Sequence, residues 1–347
     1  MTCLIIEMIK WVFKETATLL VLVLLANADV TGQNNKTAPK PVYDDPVFHG
    51  AADPVIVYNK KKQRWWMFYT NRRASIQDTT VQWVHGTRIG IAESKDGKTW
   101  HYLDTANINY RPDQDYTHWA PDIIEQNGTW HMYLTYVPGI FNGWSHPRVI
   151  VHLTSADLKN WHYQSVLKLV NEKVIDASVY KINDSLWRMW YNNEKDGKSI
   201  YYADSKDLYH WEDKGKAIAA RGEGPKVFYW KNQYFMIIDV WKGMEIFSSH
   251  DLLNWKKQSS RILEHPGRGK DDQAIGGHCD VVVDGDQAFV YYFTHPGRRK
   301  DLPAAKGSFE DKRSVIQVAE LQYRNGEVTC DRDQPVAIHL KPLKNRK

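Results

Sequence analysis

One short motif recurs four times along this chain and limits the architectures that it can adopt. The motif occurs as SKDGKTW (94–100), SADLKNW (155–161), SKDLYHW (205–211) and SHDLLNW (249–255), which all read S-x-D-x-x-x-W, and the tryptophans are 61, 50 and 44 residues apart. A repeat of this period is typical of a β-propeller or a solenoid. In each copy we expect the aspartate to accept backbone N–H groups in a turn and the tryptophan to pack between neighbouring sheets.

Each repeat also carries a strand-turn-strand pattern. Apolar and aromatic runs flank short turn sequences, as in PVIVY and RWWMFYT around NKKKQ. Five such units occur, each followed by a further strand, and no long segment with a 3.6-residue hydrophobic period lies between them. Units of about 45–65 residues match propeller blades in size. The sequence therefore predicts an all-β fold, a five-bladed β-propeller with a central funnel.

The N-terminal residues are typical of a secretory signal. TLLVLVLL (18–25) follows two lysines and precedes small residues. This apolar run is shorter than the roughly 18 residues that span a bilayer, although a retained membrane anchor is the alternative. We predict a secreted or periplasmic protein with no membrane span after signal cleavage. Its predicted parts are a signal peptide at 1–32, a polar tether outside the fold at 33–42 and one domain at 43–347.

Charge and cysteine content argue against two further classes of protein. The 46 basic and 41 acidic residues give a net charge of +5 without a basic block, so nucleic acid is not an expected partner. Beyond the signal region only Cys279 and Cys330 remain, too few for a disulfide scaffold. Their spacing leaves open whether they pair.

Ionisable side chains stand at the start of the first strand of each unit. They are Asp53 in GAADPVIVY, Asp122 in HWAPDIIE, Asp176 in VIDASVYK, Glu223 in GEGPKVFYW, and His278 with Asp280 in GGHCDVVV. First strands line the channel of a propeller, so these residues are expected to converge. Each acid alone could merely cap a strand end, but clustered carboxylates split their pKa values and mark acid–base sites. We therefore predict that Asp53, Asp122 and Glu223 form a reactive group.

The same residues resemble glycoside hydrolase family 43 and its clan relatives, which are five-bladed propellers. The matching elements are ADP (52–54), WAPD (119–122), ID (175–176), EGP (223–225) and GGH (276–278), in the family's order. The resemblance implies that Asp53 is the general base and Glu223 the general acid. It implies that Asp122 orients the acid and tunes its pKa, and that His278 lies at the floor of the site.

Two departures from the family pattern leave the substrate open. IDAS (175–178) replaces the common IDPS. YTNRRA (69–74) with WVHGT (83–87) looks more like the related family 117, which acts on anhydrogalactose-capped agar oligosaccharides. In that family a histidine has been implicated in the acid's role.

Further side chains are expected to bind the sugar. The candidates are Arg72, Trp119, Trp144, Asp176, His278 and, for stacking at the mouth, Trp241. Tryptophan faces suit sugar rings, and a guanidinium suits hydroxyls or an anionic substituent. The sequence equally allows Trp119 to pack between blades, Arg72 to be a solvated loop charge and Asp176 to be a rim residue. We expect the loops 72–86, 139–148 and 264–276 to set the specificity.

The predicted function is that of a secreted, exo-acting, inverting glycoside hydrolase. It would release a terminal sugar of the arabinofuranose or xylose type from plant or algal oligosaccharides or polysaccharides. One carboxyl would protonate the leaving oxygen while another activates water, without a required cofactor. His278 would bind a Ca²⁺ or other cation in the central channel, or hydrogen-bond channel water. A family 117-type anhydrogalactosidase and a non-catalytic glycan-binding propeller are the alternatives.

Overall fold

The computed structural model describes residues 37–342, in which almost all regular structure is β-strand. The predicted signal peptide at 1–32 lies outside the described residues. Blade 1 comprises β1 (Ala51–Asn59), β2 (Arg64–Asn71), β3 (Arg88–Ser94) and β4 (Trp100–Thr105). Blade 2 comprises β6 (Thr117–Gln126), β7 (Thr129–Val137), β8 (Val149–Ser155) and β9 (Asn160–Val166), with β5 (Asn107–Asn109) added at its outer edge.

The other three blades repeat this order. Blade 3 comprises β10 (Val174–Asn183), β11 (Leu186–Asn193), β12 (Ser199–Ser205) and β13 (Glu212–Ile218). Blade 4 comprises β14 (Glu223–Trp230), β15 (Gln233–Asp239), β16 (Met244–Ser249) and β17 (Lys256–Lys257). Blade 5 comprises β18 (Gly277–Asp284), β19 (Gln287–Thr294), β20 (Val315–Arg324) and β21 (Glu327–Cys330), and a single helical turn, α1 (Phe309–Lys312), precedes β20.

The five first strands enclose a central channel. β1 contacts β6, β6 contacts β10, β10 contacts β14, β14 contacts β18, and β18 contacts β1. The four main strands of each blade pair antiparallel in chain order, whereas β5 pairs parallel with β9. The prediction of a five-bladed β-propeller is therefore confirmed.

Each first strand contains a β-bulge near its start. The register shifts fall between Ala52 and Val55, Trp119 and Asp122, Ile175 and Ser178, Glu223 and Lys226, and Gly277 and Cys279. In blades 1–4 the bulged residue has a positive φ, which is +51° at Asp53 and +60° at Asp176. Bulges re-aim side chains, and here they turn both aspartates toward the end of the channel.

The repeated motif performs the structural role predicted from the sequence. Asp157 accepts the backbone N–H groups of Lys159 and Asn160 at 2.9 and 2.8 Å, and the equivalent aspartates of the other copies do the same. Each tryptophan contacts an aromatic ring of the preceding blade. The pairs are Trp100 with Tyr291, Trp161 with Phe68, Trp211 with Tyr133 and Trp255 with Trp190.

We expect Trp161→Ala to be among the most destabilising single substitutions in the fold. The Trp161 side chain is fully buried between blades 1 and 2, and removing a buried tryptophan costs about 3–5 kcal/mol. Urea unfolding followed by circular dichroism measures the loss. Trp144→Ala serves as the control, because Trp144 is 55% exposed and its removal should change the unfolding free energy by less than about 0.5 kcal/mol. Equal effects of the two substitutions would contradict the inter-blade role.

The segment before β1 closes the ring and corrects one prediction. Val42 and Tyr43 pair with Ile316 of β20, and Lys40 donates to Asp272 at 2.8 Å. Val42 is buried in the core between blades 5 and 1. The expectation that all of 33–42 lies outside the fold therefore does not hold for residues 40–42, because their backbone and side chains bond blade 5.

Two further structural observations bear on the sequence-based expectations. Cys279 and Cys330 are both free thiols, at the inner and outer edges of blade 5. Among the residues from 37 to 342, no helix has the length and apolar character needed to cross a membrane.

Candidate active site

A cavity of about 880 Å³ occupies the end of the channel at which the first strands begin. Eight residues that were predicted from the sequence line it, namely Asp53, Arg72, Trp119, Trp144, Asp176, Glu223, Trp241 and His278. All three predicted loops contribute side chains, and the loop between β19 and β20 contributes more. The structure thus brings together every predicted site residue except Asp122.

Asp53 is buried in this cavity and pairs with an arginine. Arg72 Nη2 lies 3.1 Å from Asp53 Oδ1 and 3.3 Å from Oδ2. The same guanidinium donates from Nη1 to His295 Nε2 at 3.2 Å and packs on Phe293, with Cζ 4.5 Å from the ring centroid. Arg72 is therefore a fixed partner of Asp53, and not the solvated loop charge that the sequence also allowed.

Asp176 is the carboxyl group adjacent to both predicted catalytic acids. Burial raises the pKa of Asp176 well above its usual value, and the negative charges of Glu223 and Asp53 raise it further. Asp176 Oδ2 accepts the backbone N–H of Gly224, the residue after Glu223, at 3.0 Å. Asp176 therefore lies inside the cavity, bonded to the residue that follows Glu223, and not at the rim.

Glu223 is half-buried and has two side-chain donors. Trp241 Nε1 donates to Glu223 Oε1 at 3.0 Å, and Lys198 Nζ donates to Oε2 at 3.2 Å. Asp239 pairs with Glu223 across β14 and β15. Burial, followed by the charge of Glu223, raises the pKa of Asp239 to about 7. Glu223 thus lies among further carboxyl groups, with cationic and indole donors that hold its orientation.

His278 lies at the floor of the cavity, as the resemblance implied. His278 Nδ1 is 3.7 Å from Asp53 Oδ1 and 3.9 Å from Asp176 Oδ2. The imidazole packs directly over Gly224, where φ is +58° and a Cβ atom would lie 2.6 Å from His278 Cγ. Only glycine combines that backbone angle with this close approach. Burial lowers the pKa of His278, which favours the neutral ring.

Asp122 lies outside the cavity, which corrects the role predicted for it. Asp122 Oδ2 accepts the backbone N–H of Val179 at 2.7 Å, and Oδ1 accepts from Lys226 Nζ at 3.1 Å. The same ammonium is 2.8 Å from Asp280. Asp122 follows the bulge of its strand by two residues and therefore lies one layer deeper in the channel than Asp53. It joins blades 2, 3 and 4, and Asp176 takes the place expected for it beside the acid.

The channel does not offer a set of donors suited to a metal ion. Among residues 37–342 there is no group of three or more His, Cys, Asp or Glu side chains arranged to hold one. Lys226, which is half-buried, already supplies the positive charge that the channel carboxylates Asp122 and Asp280 require. The described residues thus supply no set of three such protein ligands for the Ca²⁺ expected at His278, and that cation stays a prediction.

Two tryptophans form one wall of the cavity. Trp119 donates from Nε1 to the Val84 carbonyl at 2.6 Å, which joins the loops of blades 1 and 2. Its ring centroid is 6.2 Å from that of Trp144, whose face is largely exposed. Arg148 is buried behind them, 2.7 Å from Glu194. Trp119 therefore both packs between loops and lines the cavity, while Trp144 is free to contact a ligand.

Several lining residues were not predicted from the sequence. They are Arg148, Glu194, Lys198, Arg221, Asp239, His295 and Arg298. Most lie at the ends of second and third strands or in loops, where no repeated pattern marks them. The sequence did indicate that Asp176, and not Asp122, is equivalent to Asp53. When Ala177 is aligned with Pro54, Pro121 and Pro225, Asp53 and Asp176 share one position and Asp122 falls two residues later.

A five-bladed propeller with several carboxyl groups, an imidazole and tryptophans around one cavity defines a glycoside hydrolase site. The family model of glycosyl hydrolases family 43 matches residues 43–238, more than half of the chain. The chain belongs to glycosyl hydrolases family 43, and it is a glycoside hydrolase. The family resemblance seen in the sequence is thereby confirmed.

Solved structures show the same fold at low sequence identity. A thermostable family-43 glycoside hydrolase is 18% identical, with a TM-score of 0.63 over 87% of this chain and 100% of that one. A GH43_1 enzyme from Xanthomonas citri, complexed with xylotriose, is 11% identical, with a TM-score of 0.62 over 87% and 96%. An exo-1,5-α-L-arabinanase from a bovine ruminal metagenomic library is 17% identical, with a TM-score of 0.56 over 81% and 96%. No curated protein matches the sequence.

Proposed function

We propose that this protein is an exported, exo-acting hydrolase that inverts the anomeric centre and releases one terminal sugar. The observation that carries the proposal is the placement of Asp53, Asp176 and Glu223 around a single cavity, with His278 Nδ1 3.7 Å from Asp53 Oδ1 and 3.9 Å from Asp176 Oδ2. Inverting hydrolysis requires a carboxylate that activates water and a carboxylic acid that protonates the leaving oxygen. The signal-like sequence at 1–32 supports export.

In this proposal Asp53 is the general base. Its partner Arg72 carries a permanent positive charge and contacts both carboxylate oxygens of Asp53. His278 Nδ1 lies 3.7 Å from Asp53 Oδ1, and burial lowers the pKa of the imidazole, which makes it a weaker base. An ionised Asp53 can take a proton from the water that attacks the sugar.

Glu223 is the general acid in this proposal, and Asp176 lies in the same site. Two carboxyl groups in one site lose their protons in two separate steps, because the first negative charge opposes the second. Histidine is a poor candidate for the acid. Burial lowers the pKa of both His278 and His295, and His295 already bonds Arg72 through Nε2 and the Arg313 carbonyl through Nδ1. The carboxyl acid is therefore favoured over a family 117-type histidine.

Contacts between the loops of blades 1 and 5 support cleavage at the end of a sugar chain. Arg298 lies over the Trp83 ring at 5.6 Å, and Trp83 contacts His295 edge-on at 5.9 Å. Lys312 of α1 donates to the Ile76 carbonyl at 2.6 Å. These contacts join the two loops into a wall on one side of the cavity, which suits a chain end. Terminal sugars of the arabinofuranose or xylose type are the substrates that we infer.

We expect Asp176→Asn to move the basic limb of the pH profile of kcat/KM to lower pH by about one unit or more. The neutral amide removes one of the two negative charges that the pair can carry, so the remaining carboxyl group loses its proton at a lower pH. Initial rates between pH 4 and 9 measure the shift. Asp311→Asn, also in the cavity wall but paired with Arg298, is the control and should leave the limb in place. An unchanged limb in Asp176→Asn would contradict the coupling.

Product analysis on a panel of oligosaccharides tests the proposed function. Arabino-, xylo-, galacto- and agaro-oligosaccharides are incubated with the protein, and the products are separated by chromatography with mass detection. The proposal predicts that one monosaccharide appears from the first time point while the oligomers shorten by single units. Mid-chain cleavage into a mixture of oligomers, or no cleavage of any member, would refute it.

A further inference from the structure

On the side of the cavity next to Glu223, two basic side chains pack against one tryptophan ring. Arg221 Cζ lies 5.2 Å from the centroid of the Trp241 ring, and Lys198 Nζ lies 5.0 Å from it. All three side chains line the cavity. Lys198 is bonded to Glu223 and to Glu194. Arg221 is exposed and, within residues 37–342, has no carboxylate partner among the ion pairs. Its charge is therefore available to a ligand.

Trp241 is held in this place against its own backbone preference. Its φ is +56°, which is unfavourable for a bulky side chain. Two hydrogen bonds compensate, from the Trp241 backbone N–H to Asp239 Oδ1 at 2.7 Å and from Nε1 to Glu223 Oε1 at 3.0 Å. Residues strained in this way cluster at ligand sites. The strain places the indole beside the acid, with 36% of the residue exposed.

The burial of the lining residues indicates where the attacked sugar and the leaving group would each bind. Asp53 and Asp176 are buried, Glu223 is half-buried, and Trp241 and Arg221 are at the exposed end. The sugar attacked by water must lie near the base, in the deep part. The acid protonates the oxygen that leads away from that sugar, so the leaving group extends toward Trp241.

The balance of charge in the cavity favours an anionic ligand. Six basic side chains line it, namely Arg72, Arg148, Lys198, Arg221, Arg298 and Lys306. The six acidic ones are Asp53, Asp176, Glu194, Glu223, Asp239 and Asp311. The general acid holds a proton before it reacts, and burial raises the pKa of Asp239 to about 7. In the reactive state the cavity therefore carries a surplus of positive charge.

We propose that Trp241 and Arg221 form the subsite of the leaving group and that this group carries an anionic substituent, a uronate carboxylate or a sulfate ester. The inference rests on the proposed function, because it takes Glu223 as the acid. The indole stacks on the leaving sugar, and the guanidinium fork binds the anion through two parallel N–H groups. The substrate class is thus an acidic oligosaccharide, in which a terminal sugar is attached to a charged one.

Matched substrates test the subsite. They are built on the terminal sugar that the wild-type protein releases, attached to a uronate or a sulfated sugar, and each is paired with its carboxyl-reduced or desulfated counterpart. We expect the wild-type kcat/KM to favour one anionic member over its neutral counterpart by roughly tenfold or more. The preferred pair distinguishes the carboxylate from the sulfate.

Arg221→Gln should lower kcat/KM on the anionic substrate by roughly ten- to hundredfold, and by at most a few-fold on the neutral one. Arg324→Gln is the control, because Arg324 is an exposed arginine at the end of β20 and does not line the cavity. Its kcat/KM should match the wild-type value on both substrates. Isothermal titration of the same pairs into Glu223→Gln, with and without Arg221→Gln, should show the same preference in binding.

Equal losses on the anionic and neutral substrates, or a wild-type preference for the neutral one, would overturn the anion subsite and leave the hydrolase proposal intact. Failure of the wild-type protein to release a sugar from any oligosaccharide would instead refute the hydrolase proposal, and the subsite with it. The two failures are therefore distinguishable.

Discussion

Glu223→Gln should lower kcat on an oligosaccharide by roughly 10²- to 10⁴-fold, because the amide cannot give a proton to the leaving oxygen. Glutamine retains the shape of glutamate and an oxygen that accepts from Trp241 Nε1 or Lys198 Nζ, the two present donors. The fold should therefore persist, with an unchanged circular dichroism spectrum. Initial rates with purified oligosaccharide measure the loss.

The leaving group provides the control for this substitution. A 2,4-dinitrophenolate departs without protonation, so Glu223→Gln should retain most of the wild-type rate on the matching dinitrophenyl glycoside. A loss of equal size on both substrates would show that Glu223 binds the sugar or supports the fold and does not act as the acid.

Asp53→Asn should lower kcat by a similar factor, roughly 10²- to 10⁴-fold, through the other half of the reaction. The amide cannot take a proton from water, and it also weakens the contact with Arg72 Nη2 at 3.1 Å. Arg72 keeps its contacts with His295 and Phe293, so the guanidinium should stay in place. Steady-state rates and thermal unfolding of the variant measure the two effects separately.

Asp53→Asn differs from Glu223→Gln in its response to the leaving group. Water must still be activated when the leaving group is a dinitrophenolate, so the loss should be equally large on the oligosaccharide and on the aryl glycoside. Recovery of the rate on the aryl glycoside would assign Asp53 to the acid step and would reverse the two roles.

The propeller architecture was predictable because it depends on local sequence features that recur in the blades. The turn aspartate, for example Asp157, and the blade tryptophan, for example Trp161, contact the same kinds of partner in every copy, so four copies report one geometry. Asp53 and Glu223 were found for the same reason, since each begins the first strand of a blade.

The error at Asp122 shows that a position near the start of a first strand does not by itself decide where the side chain points. A bulge of one residue decides whether a side chain at the start of a strand points into the cavity or into the layer below. Asp53 and Asp176 occupy the bulged position, whereas Asp122 comes two residues after Ala120, which occupies it in blade 2. Register of this kind depends on pairing with the second strand, and within the first strands only the shared position of Pro54, Pro121 and Ala177 signals it.

The basic side chains next to Glu223 could not be predicted from the sequence, for a different reason. Lys198 and Arg221 come from the chain before β12 and before β14, and each is an ordinary loop cation in sequence. Only the packing of both against Trp241, whose backbone strain is also a tertiary property, brings them next to Glu223. Loop charges acquire a role through convergence in space.

The most direct test of the account is the configuration of the sugar at the moment of its release. Proton NMR of the reaction, recorded before mutarotation, distinguishes the two anomers of the first-formed product. A base at Asp53 that activates water while Glu223 protonates the leaving oxygen predicts a product with the anomeric configuration opposite to that of the substrate. A first-formed product that retains the substrate's configuration would contradict the arrangement.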